Sequence, residues 1–390
     1  MAFRSGVLMV VLGLCLLYLN GSVGVSSAGL KDPVHDSRAT LIVHLLSLYH
    51  PMIIPMTPVN VSYGLELLSI DGVDEKENIL RFSAWSRIQW RDHRFQWDPI
   101  EYNGVNAINL PGHKVWRPDL RLYAQVLEEE DVNLRAYSDG TIYHLVPMRL
   151  AVPCSMQFAN YPFDVQTCDL RLESWTYDGT MINLSLFGGS SGASVGDFHR
   201  PNSQWKVQSF TASRQLLSYV CCVEKYINLS FRIQVQRQVG EYTVRVLAPS
   251  VVTSLLILLC FLIPPHCGER ILLCSVLLLC VLLQLFHLNL TVPISGPDAP
   301  FLANFLCFSV FLAFFAAVES VLSLNLSRCG SGSGNNNGRL VDGEPEEFVM
   351  QAKPNTSLKR VARFIDVGCF IVFTFIFAVA GGVILNPKTE

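Results

Sequence analysis

Four apolar runs constrain the fold of this chain more than any other feature. They extend from Val246 to Pro265, Ile271 to Val292, Ala299 to Val318 and Val367 to Leu385. Each is close to the ~20 residues that a helix needs to cross the hydrocarbon core of a bilayer. The runs contain neither scattered charges nor an amphipathic period, which argues against four buried helices of a water-soluble protein. We therefore predict membrane helices at 244–265, 271–292, 299–325 and 367–385.

The N-terminus has the layout of a secretory signal. Arg4 precedes an apolar run from Val7 to Leu19, and small residues follow as far as Ala28. We predict that residues 1–28 are a signal peptide and that residues 29–243 form an extracellular domain.

Basic residues orient the four predicted helices. Six lysines and arginines lie between the third and fourth helices, and the positive-inside rule places such a segment in the cytoplasm. Residues 326–366 then form a short cytoplasmic loop with a basic helix at 357–366, and residues 386–390 are an extracellular tail. We expect a multi-pass protein of the plasma membrane with both termini outside.

The extracellular region has the pattern of short strands. Between Leu80 and Trp90 the apolar residues alternate with polar ones, and the same period of two runs from Leu229 to Gln236. Asp-Gly and Asn-Gly turns separate these runs. We predict an immunoglobulin-like β-sandwich of about ten strands with a short helix near its N-terminus. Three Asn-x-Ser sequences are candidate glycosylation sites, at Asn60, Asn183 and Asn228.

The extracellular region contains four cysteines, which allow three pairings in an oxidising compartment. Cys154 and Cys168 are separated by thirteen residues, so their pairing closes a small loop. Cys221 and Cys222 would then form a bridge between neighbours, which must be strained because adjacent Cα atoms are only ~3.8 Å apart. Two free thiols are the alternative for this pair.

Several motifs resemble one family, the Cys-loop pentameric ligand-gated ion channels, and within it the nicotinic acetylcholine receptors. The most specific motif is Cys154, the internal Tyr161-Pro162-Phe163-Asp164, and Cys168. The others are Trp116-Arg117-Pro118-Asp119 with Tyr123, Ser174-Trp175-Thr176-Tyr177-Asp178-Gly179, Tyr219-Val220-Cys221-Cys222 with Tyr226, and Gly268-Glu269-Arg270. The resemblance covers nearly the whole mature chain, and the vicinal cysteines are the mark of an agonist-binding subunit in that family.

The resemblance implies a ligand site at the boundary between two extracellular domains. The principal face would supply Tyr123, Trp175, Tyr219 and Tyr226 with the Cys221 and Cys222 bridge, and the neighbouring subunit would supply Trp90, Tyr143 and Leu145. Aromatic faces bind cations, so the implied ligand is a small cationic amine. The alternative is that these rings belong to the core. Trp175 argues against it, because Trp175 shares its strand face with charged residues while Leu170 and Leu172 occupy the other face.

One residue departs from the family pattern inside the implied site. Glu173 stands where nicotinic relatives usually carry glycine. Its carboxylate could attract a cation or could occlude the pocket. The identity of the amine therefore stays open at this point.

The resemblance also implies that the second membrane helix lines a pore. One helical face carries apolar residues throughout, at Leu272, Val276, Leu279, Leu283, Phe286 and Leu290. In cation-conducting relatives the cytoplasmic half of this face carries hydroxyl residues. In the implied pentamer, Glu269 of each subunit would supply one carboxylate to the ring that is expected of a cation channel.

Two functional readings follow. The first is a neurotransmitter-gated cation channel subunit of a homo- or hetero-pentamer, in a postsynaptic membrane, with acetylcholine or another biogenic amine as agonist. The second is a non-conducting binding or assembly subunit, which the apolar helical face favours. An anion channel is disfavoured by Glu269.

Glu75 and Arg237 match family positions that pair at the boundary between the two domains, although both could be ordinary surface charges.

Other classes of function find no support in the sequence. A formal net charge of -3 without a long basic run argues against binding of nucleic acid. The chain has no Gly-rich phosphate loop and no His and Cys cluster with metal-ligand spacing. We expect neither enzyme activity nor a metal or other cofactor, and we expect membrane lipid as a further contact.

Overall fold

The computed structural model describes residues 33–189, 192–220, 222–264, 267–292, 300–329 and 356–384. The predicted signal peptide, the predicted tail at 386–390 and most of the predicted cytoplasmic loop lie outside these ranges. An N-terminal helix, Pro33–Ser47 (α1), opens the described part of the chain.

Two sheets follow α1 and contain twelve strands among the described residues. The strands of the first sheet are Val59–Asp74 (β1), Ile79–Gln96 (β2), Ala107–Leu110 (β3), Gln125–Glu129 (β5), Leu134–Tyr137 (β6), Asp139–Pro153 (β7), Ile182–Leu186 (β9) and Ala193–Arg200 (β10). Their order is β10-β1-β2-β7-β6-β3, and in addition β5 pairs with β7 and β9 pairs with β1. The second sheet contains Leu120–Leu122 (β4), Val165–Ser174 (β8), Trp205–Ser218 (β11) and Lys225–Arg237 (β12), in the order β11-β12-β8-β4.

The two sheets enclose one core because their strands alternate between inward apolar and outward polar residues. Leu80, Phe82 and Ala84 of β2 are buried against residues such as Leu170 of β8 and Phe231 of β12. A disulfide joins Cys154, directly after β7, to Cys168 in β8, as predicted. The predicted β-sandwich with an N-terminal helix is therefore confirmed.

In the part of the chain that the structure describes, four helices long and apolar enough to cross a membrane follow the sandwich. A π-helical turn, Thr243–Leu247, leads into Ala248–Leu259 (α2), and the others are Glu269–Thr291 (α3), Phe301–Cys329 (α4) and Thr356–Ile384 (α5). The residues predicted as a basic cytoplasmic helix at 357–366 form the first part of α5. The helices have their own core, which includes Ile257, Val281 and Leu306.

The loop between the bridged cysteines packs on the membrane helices. Phe158 and Tyr161 at its tip are buried in the same cluster as Val246, Leu288 and Leu302. The backbone N–H of Phe301 also donates to the carbonyl oxygen of Ala159, over 3.0 Å. The β-sandwich thus contacts the membrane helices directly through this loop.

Candidate functional site

The Trp116-Arg117-Pro118-Asp119 motif fixes the turn that carries Trp175. The carboxylate of Asp119 accepts hydrogen bonds from the Ser174 hydroxyl and from the backbone N–H and the hydroxyl of Thr176. The backbone N–H of Trp175 donates to the carbonyl oxygen of Asp119, over 3.2 Å. Trp175 is therefore held on an ordered turn while 64% of its surface is exposed.

Tyr123 lies beside Trp175. Its backbone N–H donates to the carbonyl oxygen of Arg171 over 2.8 Å, which joins the end of β4 to β8. The two aromatic side chains, with Arg121 and Leu122, line a concavity of about 350 Å³. Large exposed aromatic rings in a concave surface are typical of a binding site.

Tyr219 and Tyr226 belong to the hairpin between β11 and β12. Their ring centroids are 5.5 Å apart in an edge-to-face arrangement. The Tyr219 hydroxyl donates to Glu173 Oε2 over 3.0 Å, so the hairpin is tied to β8 close to Trp175. Partial burial, together with the Glu173 carboxylate, raises the pKa of Tyr219 to about 12. The phenol therefore stays protonated at neutral pH and remains a hydrogen-bond donor.

Trp90 does not fit the predicted role on the neighbouring subunit's face. Only 2% of its surface is exposed, and its ring packs edge-to-face on Trp116 in the core, with centroids 6.3 Å apart. The physical reason is strand parity: Trp90 points inward with Phe82 and Ala84. Trp85, five residues earlier on β2, points outward instead and contacts the ring of Phe198 at 5.6 Å.

Tyr143 and Leu145 lie on the outward side of β7. Tyr143 is paired with Gln89 and Leu145 with Arg87, on the same side of the sheet as Trp85. This surface belongs to the first sheet, whereas Tyr123, Trp175, Tyr219 and Tyr226 lie on or beside the second sheet. The two predicted faces are thus on different sheets of one chain.

Cys221 lies outside the described residues, so its bridge to Cys222 stays a prediction. Of the glycosylation candidates, Asn60 is exposed, and it accepts a hydrogen bond from the Asn183 side chain over 2.8 Å. Asn228 is only 1% exposed, and both polar atoms of its side chain are enclosed. An enclosed amide has no room for a glycan, so Asn228 does not fit the predicted role.

Comparison with known proteins identifies the family. Residues 38–239 match the model of the neurotransmitter-gated ion-channel ligand binding domain, and residues 246–337 match that of the neurotransmitter-gated ion-channel transmembrane region. The chain belongs to the neurotransmitter-gated ion channels. Because this is a family of channels, the prediction that the chain is not an enzyme is confirmed.

Nicotinic receptor subunits are among the relatives of this channel-family member. It is 30% identical to the neuronal acetylcholine receptor subunit alpha-6 of Rattus norvegicus, over 83% of the chain and 64% of that relative. It is also 30% identical to subunit beta-4 of Homo sapiens, over 71% of the chain and 56% of the relative. The chain therefore spans less than two thirds of the length of these relatives.

Arg237 occupies the junction between the ligand-binding domain and the membrane helices. It pairs with Glu75 over 2.9 Å and with both carboxylate oxygens of Asp164, at 2.8 and 3.1 Å. Its guanidinium also lies 4.3 Å from the ring centroid of Trp205 and 5.0 Å from that of Tyr242. Arg237 is only 2% exposed, so it is not a surface charge. The sequence analysis predicts the pair of Glu75 and Arg237 at this boundary but not the partner Asp164, although Asp164 belongs to the Tyr161-Pro162-Phe163-Asp164 motif.

The six residues predicted to line the pore form an exposed stripe on α3 of this channel-family member. Their side chains are between 48% and 68% exposed, whereas Cys274, Leu277 and Val281 face the other helices. Glu269 is also exposed, at the first residue of α3. The single chain thus leaves the predicted pore face uncovered.

A buried ionic cluster, not predicted from the sequence, joins three membrane helices. Arg270 of α3 pairs with Asp366 of α5 over 2.8 Å and with Glu319 of α4. Ser323 donates to Glu319 over 2.6 Å. The signals available in the sequence were Glu319, an acidic residue inside the predicted helix 299–325, and Asp366, directly before the predicted helix 367–385, because ionisable groups in a membrane need a partner. The cluster fixes the N-terminal end of α3 against its neighbours.

Proposed function

We propose that this chain is an agonist-binding subunit of a neurotransmitter-gated channel and that its ligand is a small cationic amine. The observation that carries the proposal is the exposed Trp175 on a turn fixed by Asp119, beside Tyr123 and close to the hairpin of Tyr219 and Tyr226. Such rings hold a cation through their negative faces, each by roughly 0.5 to 2 kcal/mol. The nicotinic relatives support the same ligand class, since their names describe acetylcholine receptors.

The proposal places the site between two chains. The aromatic residues of the second sheet form the principal face of one subunit, and Trp85, Tyr143 and Leu145 of the first sheet form the complementary face of the next. A closed ring of subunits pairs each principal face with a complementary face, which is a heterologous interface. We expect the ring to be the pentamer of the family, assembled from this chain or from this chain with related subunits.

A binding measurement on the full-length protein tests the ligand site. Trp175→Ala should weaken binding of acetylcholine and of 2-phenylethylamine at least about tenfold, because it removes the most exposed ring of the site. Ile100→Ala removes a large apolar side chain that is 86% exposed in the short turn Pro99–Tyr102 after β2, and it should leave both affinities unchanged. Equal effects of the two substitutions would contradict the proposed site.

Conduction is the second part of the proposal. Glu269 at the cytoplasmic end of α3 favours cations, and the apolar stripe of α3 opposes their passage. A hydrated cation that crosses apolar rings sheds water without gaining oxygen ligands. We expect a cation pathway that conducts only when partner subunits or substitutions supply polar groups. The stripe equally favours the alternative of a non-conducting subunit that binds ligand. Current from the chain with Leu272→Thr and Val276→Thr separates the two, because only a pathway blocked by the apolar stripe gains current when hydroxyl groups are introduced.

A further inference from the structure

Two of the Asn-x-Ser sequences lie side by side on paired strands. β1 and β9 are parallel, and their register pairs Asn60 with Asn183 and Ser62 with Ser185. The hydroxyl oxygens of the two serines are 3.0 Å apart, and the Asn183 side chain donates to Asn60 over 2.8 Å. Neighbouring strands are only ~4.7 to 4.9 Å apart, so the two asparagines share one small patch of surface.

Arg214 of β11 determines how both amides are oriented. Its Nη2 donates to Oδ1 of Asn183 over 3.1 Å, and its Nε donates to the carbonyl oxygen of Leu184 over 2.7 Å. A guanidinium can donate hydrogen bonds but cannot accept them, so the Asn183 atom that faces Arg214 is the oxygen. The amide nitrogen of Asn183 therefore faces Asn60. The atom of Asn60 that accepts this hydrogen bond is then also an oxygen, Oδ1.

The two amide nitrogens consequently differ, although an oligosaccharide can be attached only to such a nitrogen. Nδ2 of Asn183 is engaged with Asn60, and the Asn183 side chain is half-buried. Nδ2 of Asn60 has no hydrogen-bond partner among the residues that the structure describes. Asn60 is also exposed, as are the three residues 56–58 that precede β1. Of the pair, only Asn60 presents a free attachment atom to solvent.

We propose that Asn60 carries an N-linked oligosaccharide and that Asn183 stays unmodified and positions it. The predicted signal peptide directs the domain into the secretory pathway. There the amide nitrogen of Asn60 loses one proton and bonds to the anomeric carbon of the oligosaccharide. The bond from that carbon to its lipid pyrophosphate donor breaks, and the pyrophosphate leaves.

The hydrogen bonds of the pair are compatible with a sugar on Asn60 and not with one on Asn183. A modified Asn60 keeps its Oδ1 and still accepts from Asn183. A sugar on the nitrogen of Asn183 would stand against Asn60 and separate the side chains that connect β1, β9 and β11. Transfer of the oligosaccharide precedes folding, so a chain modified at Asn183 could not complete this contact and would be lost from the folded protein.

The proposed glycan lies away from the proposed ligand site. Asn60 precedes Glu66 by six residues on β1, and Glu66 is the cross-strand partner of Trp85. Six residues of a strand span ~20 Å. The glycan therefore leaves the complementary face free, and the inference does not depend on the proposed function.

Glycopeptide analysis of the full-length protein from the surface of eukaryotic cells tests the proposal. A peptide N-glycosidase in heavy-oxygen water converts each glycosylated asparagine into a labelled aspartate, which mass spectrometry locates. We expect the label at position 60 and none at position 183. Label at position 183, with or without label at position 60, overturns the proposal, and so does the absence of label at both. This measurement needs no variant.

Ser62→Ala and Ser185→Ala form a matched pair. Each removes one Asn-x-Ser sequence and the hydrogen bond between the two hydroxyls, while both asparagines remain. Ser62→Ala should abolish the mass shift that the glycosidase produces, and Ser185→Ala should leave that shift unchanged. A glycan at Asn183 in Ser62→Ala would show competition between two free sites and would overturn the positioning role. Loss of the shift in Ser185→Ala would overturn the assignment to Asn60.

Discussion

At the residue scale, two carboxylates hold Arg237 in different environments. The side chain of Asp164 is 1% exposed and binds the guanidinium through both oxygens, whereas that of Glu75 is 21% exposed and binds through one. Removing one partner of a fully buried ion pair costs about 3 to 5 kcal/mol, and a partly exposed pair contributes about 1 kcal/mol or less. The two carboxylates should therefore differ in their effect on stability.

We expect Asp164→Asn to lower the Tm of the purified protein much more than Glu75→Gln does. Arg237 keeps Glu75 in the first variant but loses its enclosed partner, and the second variant leaves that partner in place. Thermal unfolding of the two variants and of the unmodified chain measures the difference. Arg81→Gln, which changes a partly exposed arginine of β2, serves as a surface control. A larger effect of Glu75→Gln would show that the pair at the domain boundary, rather than Asp164, holds Arg237.

Strand parity explains which tryptophan could be predicted from the sequence. The alternation from Leu80 to Trp90 already groups Trp90 with the inward apolar residues, and the structure buries it. The resemblance to the family instead assigns Trp90 to the complementary face. Trp85 has the parity of Arg81, Ser83 and Arg87, so the same alternation points it outward. For this residue the periodicity was the better guide than the resemblance.

At the element scale, α3 has an exposed apolar stripe on one face and buried ion pairs with α4 and α5 at its first turn. Arg270 binds acidic residues of α4 and α5, while the stripe that begins at Leu272 is uncovered in the single chain. The helices themselves were predictable, because apolar length and composition define a membrane span. The Arg270 cluster was not predicted, because a long-range ion pair depends on how the helices pack, and the two acidic residues lie far from Arg270 in sequence.

We expect the chain expressed alone to carry little or no current, even with amine bound. Leu272→Thr combined with Val276→Thr should raise cation current, because hydroxyl groups replace part of the ion's hydration. Glu269→Ala in that background should lower the preference for cations. Whole-cell recordings with sodium and chloride gradients measure both effects.

The matched control for the pore prediction lies on the opposite face of the same helix. Leu277→Thr introduces the same hydroxyl at a position buried against the other helices and should not raise current. Large agonist-evoked current from the unmodified chain would refute the apolar barrier. If the double variant shows no gain in current, the barrier to conduction lies elsewhere, and the Arg237 junction is the next candidate.

At the scale of the whole molecule, the sequence predicts the order of the parts well. The sandwich, its bridged loop and four apolar helices appear where periodicity, cysteine spacing and hydropathy indicate them. The contacts between the parts depend on tertiary packing and were only partly foreseen. The tip of the bridged loop, at Phe158 and Tyr161, is buried against membrane helices, yet nothing in its local pattern identifies those helices as its partner.

Assembly is the central claim at this scale, since the two faces of the proposed ligand site lie on different sheets. A chain with Trp175→Ala keeps its complementary face, and a chain with Trp85→Ala keeps its principal face. When the two variants assemble together, some boundaries join two intact faces. Neither variant alone can form such a boundary.

The most direct measurement is amine binding to the two variants, purified separately and after co-expression with different affinity tags. Each variant alone should bind 2-phenylethylamine at least about tenfold more weakly than the unmodified protein. Complexes that contain both tags should regain high-affinity binding at about one quarter of their sites if the two chains mix at random in a closed ring. Co-purified complexes without any high-affinity site would contradict a ligand site shared between neighbouring chains.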